Sequence, residues 1–141
     1  MAGMRMALTM DCTDVPVMAE FWKAALGYEE EPPPPPFATR EEWVASFGID
    51  PDEDDDDGAW LHDPDGIGPR LSLLQVPEPK TAKNRLHIDV RVSADLPAEQ
   101  KWPAIVARSA ELIGLGAGVL AEVDGHHIVM ADPEGNEFCV C

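Results

Sequence analysis

Positive charge, cysteine and long apolar runs are scarce in this sequence, and each shortage removes a class of function. Ten Lys and Arg residues stand against 27 Asp and Glu, a formal net charge of −17. A field of that sign repels nucleic-acid phosphates and anionic lipid headgroups, so neither nucleic acid nor membrane is expected as a partner. No apolar stretch approaches the roughly 20 residues of a membrane span. The opening Met1-Ala2-Gly3-Met4-Arg5 has no adequate apolar signal region behind it, so the expected location is cytoplasmic. Cysteine occurs only at Cys12, Cys139 and Cys141. The odd number, with Cys139 and Cys141 two apart on a predicted strand, suits reduced thiols. A single Cys-x-Cys also lacks the second pair that a structural zinc site needs.

What is present is 45% apolar residues in 141, enough for one domain or for two small modules sharing a core. An internal echo favours two modules. Asp63-Pro64-Asp65-Gly66 and Asp132-Pro133-Glu134-Gly135 are matching turn tetrapeptides, each leading into an apolar run. Before each turn come a strand, a helix, a Leu-Gly pair and another strand, so one order of elements occurs twice.

The first copy opens with a strand over residues 5–12. Asp14 then caps a helix that carries Val17, Met18, Phe21, Trp22, Ala25 and Leu26 and stops at Gly27, and Phe21 and Trp22 read as core. The second opens with a strand over Asn84–Val90, in which Leu86, Ile88 and Val90 alternate with His87, Asp89 and Arg91. Residues 95–101 read as a polar approach to a helix with Pro103 in its first turn. Asp124-Gly125 predicts a hairpin joining strands over 119–123 and 127–131.

The first copy is longer by about 20 residues, an insertion with three parts. Pro32 to Pro36 predict extended polyproline. Thr39-Arg40-Glu41-Glu42 is a capping box that opens a short helix through Trp43, Val44 and Phe47. Asp50 to Asp57 is an acidic run. Counted from Asp50, it places Asp55 and Leu61 where a calcium loop of the EF-hand type needs glycine and glutamate, so it reads as a solvated loop. Lys80, Lys83 and Arg85 form the one dense basic stretch, either as solvated linker charges or as a means of gathering an anion beside His87.

Phe21-Trp22 with Leu26-Gly27-Tyr28, Val76 to Lys80 running on to Asn84-Arg85-Leu86-His87-Ile88-Asp89, and Asp132 to Cys139 together resemble the glyoxalase and vicinal oxygen chelate superfamily, in its glyoxalase-like domain branch. The resemblance implies an α+β fold in which two βαβββ modules pair into a curved sheet around a cavity. The modules would span 4–79, with an inserted acidic segment over 29–58, and 80–141, all within a single domain over 1–141. It also implies a pseudo-twofold axis bringing Ala7 to Thr9 beside His87 to Asp89, and a homodimer.

Metal enzymes of that superfamily place ligands on the first and last strand of each module. By position those places fall here at Ala7, Ser72, His87 and Cys139, or with a shifted register at Gln75. Only His87 matches the usual donor, so no metal and no other cofactor is expected. Three readings follow. The chain binds a small molecule without metal, using Ser72, Gln75, His87, Asp89 and Cys139, with Thr9, Asp11 and Arg91 beside them. Alternatively it is a lyase or isomerase with His87 as base and Cys139 as nucleophile or hydrogen-bond partner. In the third, His87 and Asp89 satisfy a polar seam and nothing more.

Overall fold

The computed structural model describes residues 3–48 and 58–141, so the acidic run at 50–57 lies outside the described residues. In chain order the elements are β1 (Leu8–Cys12), α1 (Val15–Leu26), β2 (Glu29–Glu30), α2 (Arg40–Ala45), β3 (Gly58–His62), β4 (Leu71–Gln75), β5 (Ile88–Val90), α3 (Ala98–Gly114), β6 (Gly118–Val123), β7 (His127–Ala131) and β8 (Glu137–Val140). Apart from α2, strand, helix and three strands occur twice. The sheets share one pattern, β1-β4-β3-β2 and β5-β8-β7-β6, with the first and last strands of each copy parallel and the other pairs antiparallel. The two Asp-Pro turns are equivalent, because Gly66 and Gly135 each donate to the carbonyl of the aspartate three residues earlier, both at 2.9 Å. Both glycines have positive φ, at 69° and 88°.

The fold corrects several local expectations. The β1 and β5 strands lie in different sheets, and among the described residues no strand pairing joins them. Ala7 to Thr9 are therefore not hydrogen-bonded alongside His87 to Asp89. Strand β5 is short because β8, its neighbour in the sheet, pairs with it only through Phe138 to Val140. His87 precedes it and Leu86 is 81% exposed. Residues 5–7 likewise precede β1. Helix α3 starts after Pro97, which puts Ala98 to Lys101 in the helix and Pro103 inside it. Only one backbone donor is lost there, and burial of Ile105 and Leu112 offsets it. The proline run is not extended throughout: Phe37 donates to the Pro34 carbonyl across a turn containing a cis Pro35-Pro36 bond.

One apolar face of each sheet meets a helix. Leu61, Leu71 and Leu73 pack toward α1, and Ile128, Met130, Phe138 and Val140 toward α3. Helix α1 forms because Asp14 accepts from the Val17 amide at 3.2 Å, Pro16 suits the first turn, and Gly27 (φ 69°) ends it in the left-handed region. It also joins the two copies. Phe21 and Trp22 meet Phe138 of β8 edge-on, at 5.7 and 5.2 Å between ring centroids. The Trp22 indole donates to buried Asp132 at 3.2 Å. Glu134, in the second turn, accepts from the Thr13 amide, the Thr13 hydroxyl and the Asp14 amide at 2.7, 3.0 and 2.9 Å. At the other end of α1, Arg108 of α3 donates to the Ala24 and Ala25 carbonyls, which have no partner within the helix.

Candidate functional site

Strand alternation decides which candidate residues share a face. On the side of the first sheet away from α1, Thr9, Ser72 and Trp60 form a row across β1, β4 and β3. Gln75 belongs to the opposite face, in register with Cys12, so it does not join Ser72. On the corresponding side of the second sheet, Asp89, Cys139 and Val129 form a row across β5, β8 and β7. The site residues read from the sequence therefore divide into Ser72 on one sheet, and Asp89 and Cys139 with the adjoining His87 on the other.

His87 is exposed, and its hydrogen-bond partner is Lys83, whose Nζ lies 3.4 Å from Nε2. The ammonium can only donate, so Nε2 is the acceptor. No hydrogen bond links His87 to Cys139 among the described residues. The Cys139 and Cys141 thiols are pushed above the ordinary thiol range, first by burial and then by the Asp89 carboxylate. The effect on Cys12, at the end of β1, is larger: burial and four neighbouring carboxylates push it to about 11. None of the three is an activated thiolate. The Asp89→Asn variant is expected to raise the rate of Cys139 and Cys141 alkylation by iodoacetamide by roughly twofold or more at mildly alkaline pH. Cys12 should stay slow. Peptide mapping of the alkylated thiols checks this, and unchanged rates at both positions would count against it.

Glu137 anchors the basic stretch. Its carboxylate lies 2.8 Å from Lys80 and 3.7 Å from Lys83, and it accepts from the Asn84 amide at 3.1 Å. The Lys80 hydrogen bond leads in holding its pKa down to about 2, from 4.5. Because the folded value is the lower one, Glu137 contributes stability above pH 4.5 that is lost as pH falls toward about 2. The gap in thermal midpoint between the protein and Glu137→Gln is therefore expected to be constant above that window and to close within it. A gap independent of pH would contradict the ion-pair origin.

The divalent ion that the resemblance implies is a poor match for these donors. Ala7 offers a methyl group and Ser72 a neutral hydroxyl. His87 has an ammonium beside it, which repels a cation, and Cys139 holds its proton. Among the described residues, no three His, Cys, Asp or Glu side chains gather around a common point.

Two open hollows lie against the insertion, and His87, Asp89, Ser72, Gln75 and Cys139 line neither. One, of about 770 Å³, is bounded by the 32–34 prolines, α2 and β3, and the other, of about 890 Å³, by the same prolines and residues 4–7. In the first, the Arg40 guanidinium lies over the Trp60 ring at 3.8 Å from its centroid. Sequence reasoning missed this pair because Arg40 read as part of a helix cap and Trp60 as a strand residue. The available signal was Gly58, two residues before Trp60 and on the same face. A Cβ there would stand 2.9 Å from the Trp60 ring and 3.0 Å from the Leu73 carbonyl, so glycine leaves the indole its place.

Comparison with known proteins agrees with this architecture. The family model described as a glyoxalase-like domain matches residues 7–141. Fosfomycin resistance protein FosX from Mesorhizobium loti superposes with a TM-score of 0.65 at 16% identity, over 99% of this chain and 91% of that one. A glyoxalase/bleomycin resistance protein/dioxygenase family enzyme from Burkholderia phytofirmans gives 0.57 at 17%, over 95% and 94%. FosX from Listeria monocytogenes, in complex with manganese(II) and sulfate, gives 0.60 at 12%, over 99% and 92%. At these identities the likeness is one of fold. No sequence among the curated proteins matches this one.

Proposed function

We propose, on the premise that the chain belongs to the glyoxalase-like domain family, that it binds a small organic molecule on the helix-free faces of its two sheets, without a divalent ion. The donor set carries this reading. A methyl group, a neutral hydroxyl and a protonated thiol stand at three of the four places that metal enzymes of the wider superfamily use, and the fourth, His87, sits beside an ammonium. What remains is a polar lining of Ser72, His87, Asp89 and Cys139, suited to orienting a ligand by hydrogen bonds. The FosX neighbour that holds manganese(II) lends the fold and not its metal. The protein acts, in this reading, as a cytoplasmic homodimer whose partner is a small molecule, with neither nucleic acid nor membrane involved.

A lyase or isomerase using His87 as base and Cys139 as nucleophile is the second reading. It is favoured only by the presence of both residue types on β5, β8 and the adjoining loop. The absence of a hydrogen bond between them and the upward-shifted thiol speak against it.

The purified protein is expected to carry well under one equivalent of zinc, nickel, iron or manganese. Dialysis against a chelator should leave its melting temperature unchanged. Stoichiometric metal with His87 in its coordination sphere would overturn the proposal. In the metal-free protein, His87→Ala separates the remaining readings, since unchanged ligand binding and stability would reduce His87 to scaffold.

A further inference from the structure

We propose that the hollow between α2 and β3 is a second ligand site, one that takes a small organic cation with a flat head, such as an amidinium or guanidinium, on the face of Trp60 that Arg40 covers. This goes beyond the reading above, which concerns other residues on the helix-free faces.

The position of Arg40 carries the inference. A guanidinium 3.8 Å from the centre of an indole is a cation held by an aromatic face, and it is supplied by the chain's own insertion. Arg40 also lies 5.7 Å from the centre of the Trp43 ring, so two indoles lie within reach of one cationic head. Gly58 keeps the Trp60 ring in place, since any side chain there would meet it. At about 770 Å³ the hollow falls in the size range of small-molecule sites.

Its charge selects the same class of ligand. Glu30, Glu31 and Glu41 line it against Arg40 and Arg70, and Arg70 is engaged with Glu31 at 3.2 Å. Moving the Arg40 head aside leaves the carboxylates in excess, within a chain of net charge −17. An anion is repelled there and a neutral ring gains no cation–π term, so the aromatic faces and the field favour a cation together. Arg40 then acts as a built-in competitor, and a ligand binds by exchanging places with it.

Benzamidinium is a suitable probe, with neutral benzamide as its isostere, in calorimetric titrations of the full chain at low ionic strength. Benzamidinium is expected to bind and benzamide not to. Arg40→Ala is expected to tighten benzamidinium binding by between about 2-fold and about 30-fold, the range of a cation–π contact. Trp60→Leu should abolish it. Should Trp60→Leu fail to fold, the Trp60 indole N–H resonance of the unaltered protein decides instead: it shifts on titration while that of Trp102 on α3 stays in place. Equal binding of benzamidinium and benzamide, weaker binding in Arg40→Ala, or an unmoved Trp60 resonance would overturn the proposal. Cys139→Ser alters the second sheet and is expected to leave the titration unchanged. An effect there as large as that of Trp60→Leu would refute the assignment to this hollow and leave the proposed function standing.

Discussion

Trp22→Ala is expected to cost about 3–5 kcal/mol of unfolding free energy, the range for emptying a fully buried aromatic position. Trp22 is wholly buried, and its ring meets Phe21 at 5.3 Å and Phe138 at 5.2 Å, both edge-on. Alanine removes the ring from both contacts and also the N–H that Asp132 accepts. Because Phe138 belongs to the second sheet and Trp22 to the first copy's helix, the cavity opens between the copies, where neither sheet can collapse to fill it. Trp22→Phe retains most of the ring and loses the donor, so about 1–2 kcal/mol is expected. Urea denaturation followed by far-ultraviolet circular dichroism measures both. An alanine penalty below about 1 kcal/mol would mean that the aromatic cluster does not join the copies.

The second large effect tests the repeat by its asymmetry. Asp132 accepts from the Glu134 amide at 2.9 Å, the Asn136 amide at 3.0 Å, the Asn136 side chain at 2.8 Å and the Trp22 indole at 3.2 Å. Asp63, its counterpart, accepts from the amides of Asp65, Ile67 and Gly68 at 2.9, 3.1 and 2.8 Å. Both organise an equivalent turn, yet only Asp132 is buried, at 3% exposure. Its carboxyl is shifted upward by that burial against the opposing pull of its donors, whereas the amides hold Asp63 below the usual carboxylate range. Removing Asp132 leaves the fully buried Trp22 indole N–H and the half-buried Glu134 and Asn136 donors without their shared acceptor, so Asp132→Ala is expected to cost about 3–4 kcal/mol. Water replaces the lost acceptor in Asp63→Ala, and a markedly smaller drop in thermal midpoint should follow. Equal drops would show that the turns bear load equally. Asp132→Asn keeps an acceptor without the charge and should fall between the two aspartate-to-alanine variants.

These contacts also explain what was legible in the sequence. Asp-Pro-acid-Gly is local chemistry, complete within four residues, so both turns, and with them the repeated order of elements, could be read directly. Gly27, Asp14 and Asp124-Gly125 were legible for the same reason. Element lengths were not, since they depend on partners: β5 stops where β8 stops pairing with it, and no pattern in Asn84 to His87 records that. Helix α3 begins after Pro97 without a side-chain cap to mark it, so placing Pro103 in the first turn sets its start too late. The candidate site was legible by residue type and position on strands, but not by neighbourhood. Asp89 beside Cys139 and Arg40 on Trp60 each join parts of the chain whose pairing the tertiary fold alone decides.

The grip of Glu134 on Thr13 and Asp14 bears on how the protein is made. Glu134 lies 121 residues beyond Thr13 and 120 beyond Asp14, so the amides that open the first helix wait for their acceptor until that stretch has been made. At ordinary rates of synthesis that delay is about 6 to 24 seconds. Through it the nascent first copy holds Phe21 and Trp22 without Phe138 to cover them, which makes this interval, rather than any in the finished molecule, the time of greatest demand for a chaperone.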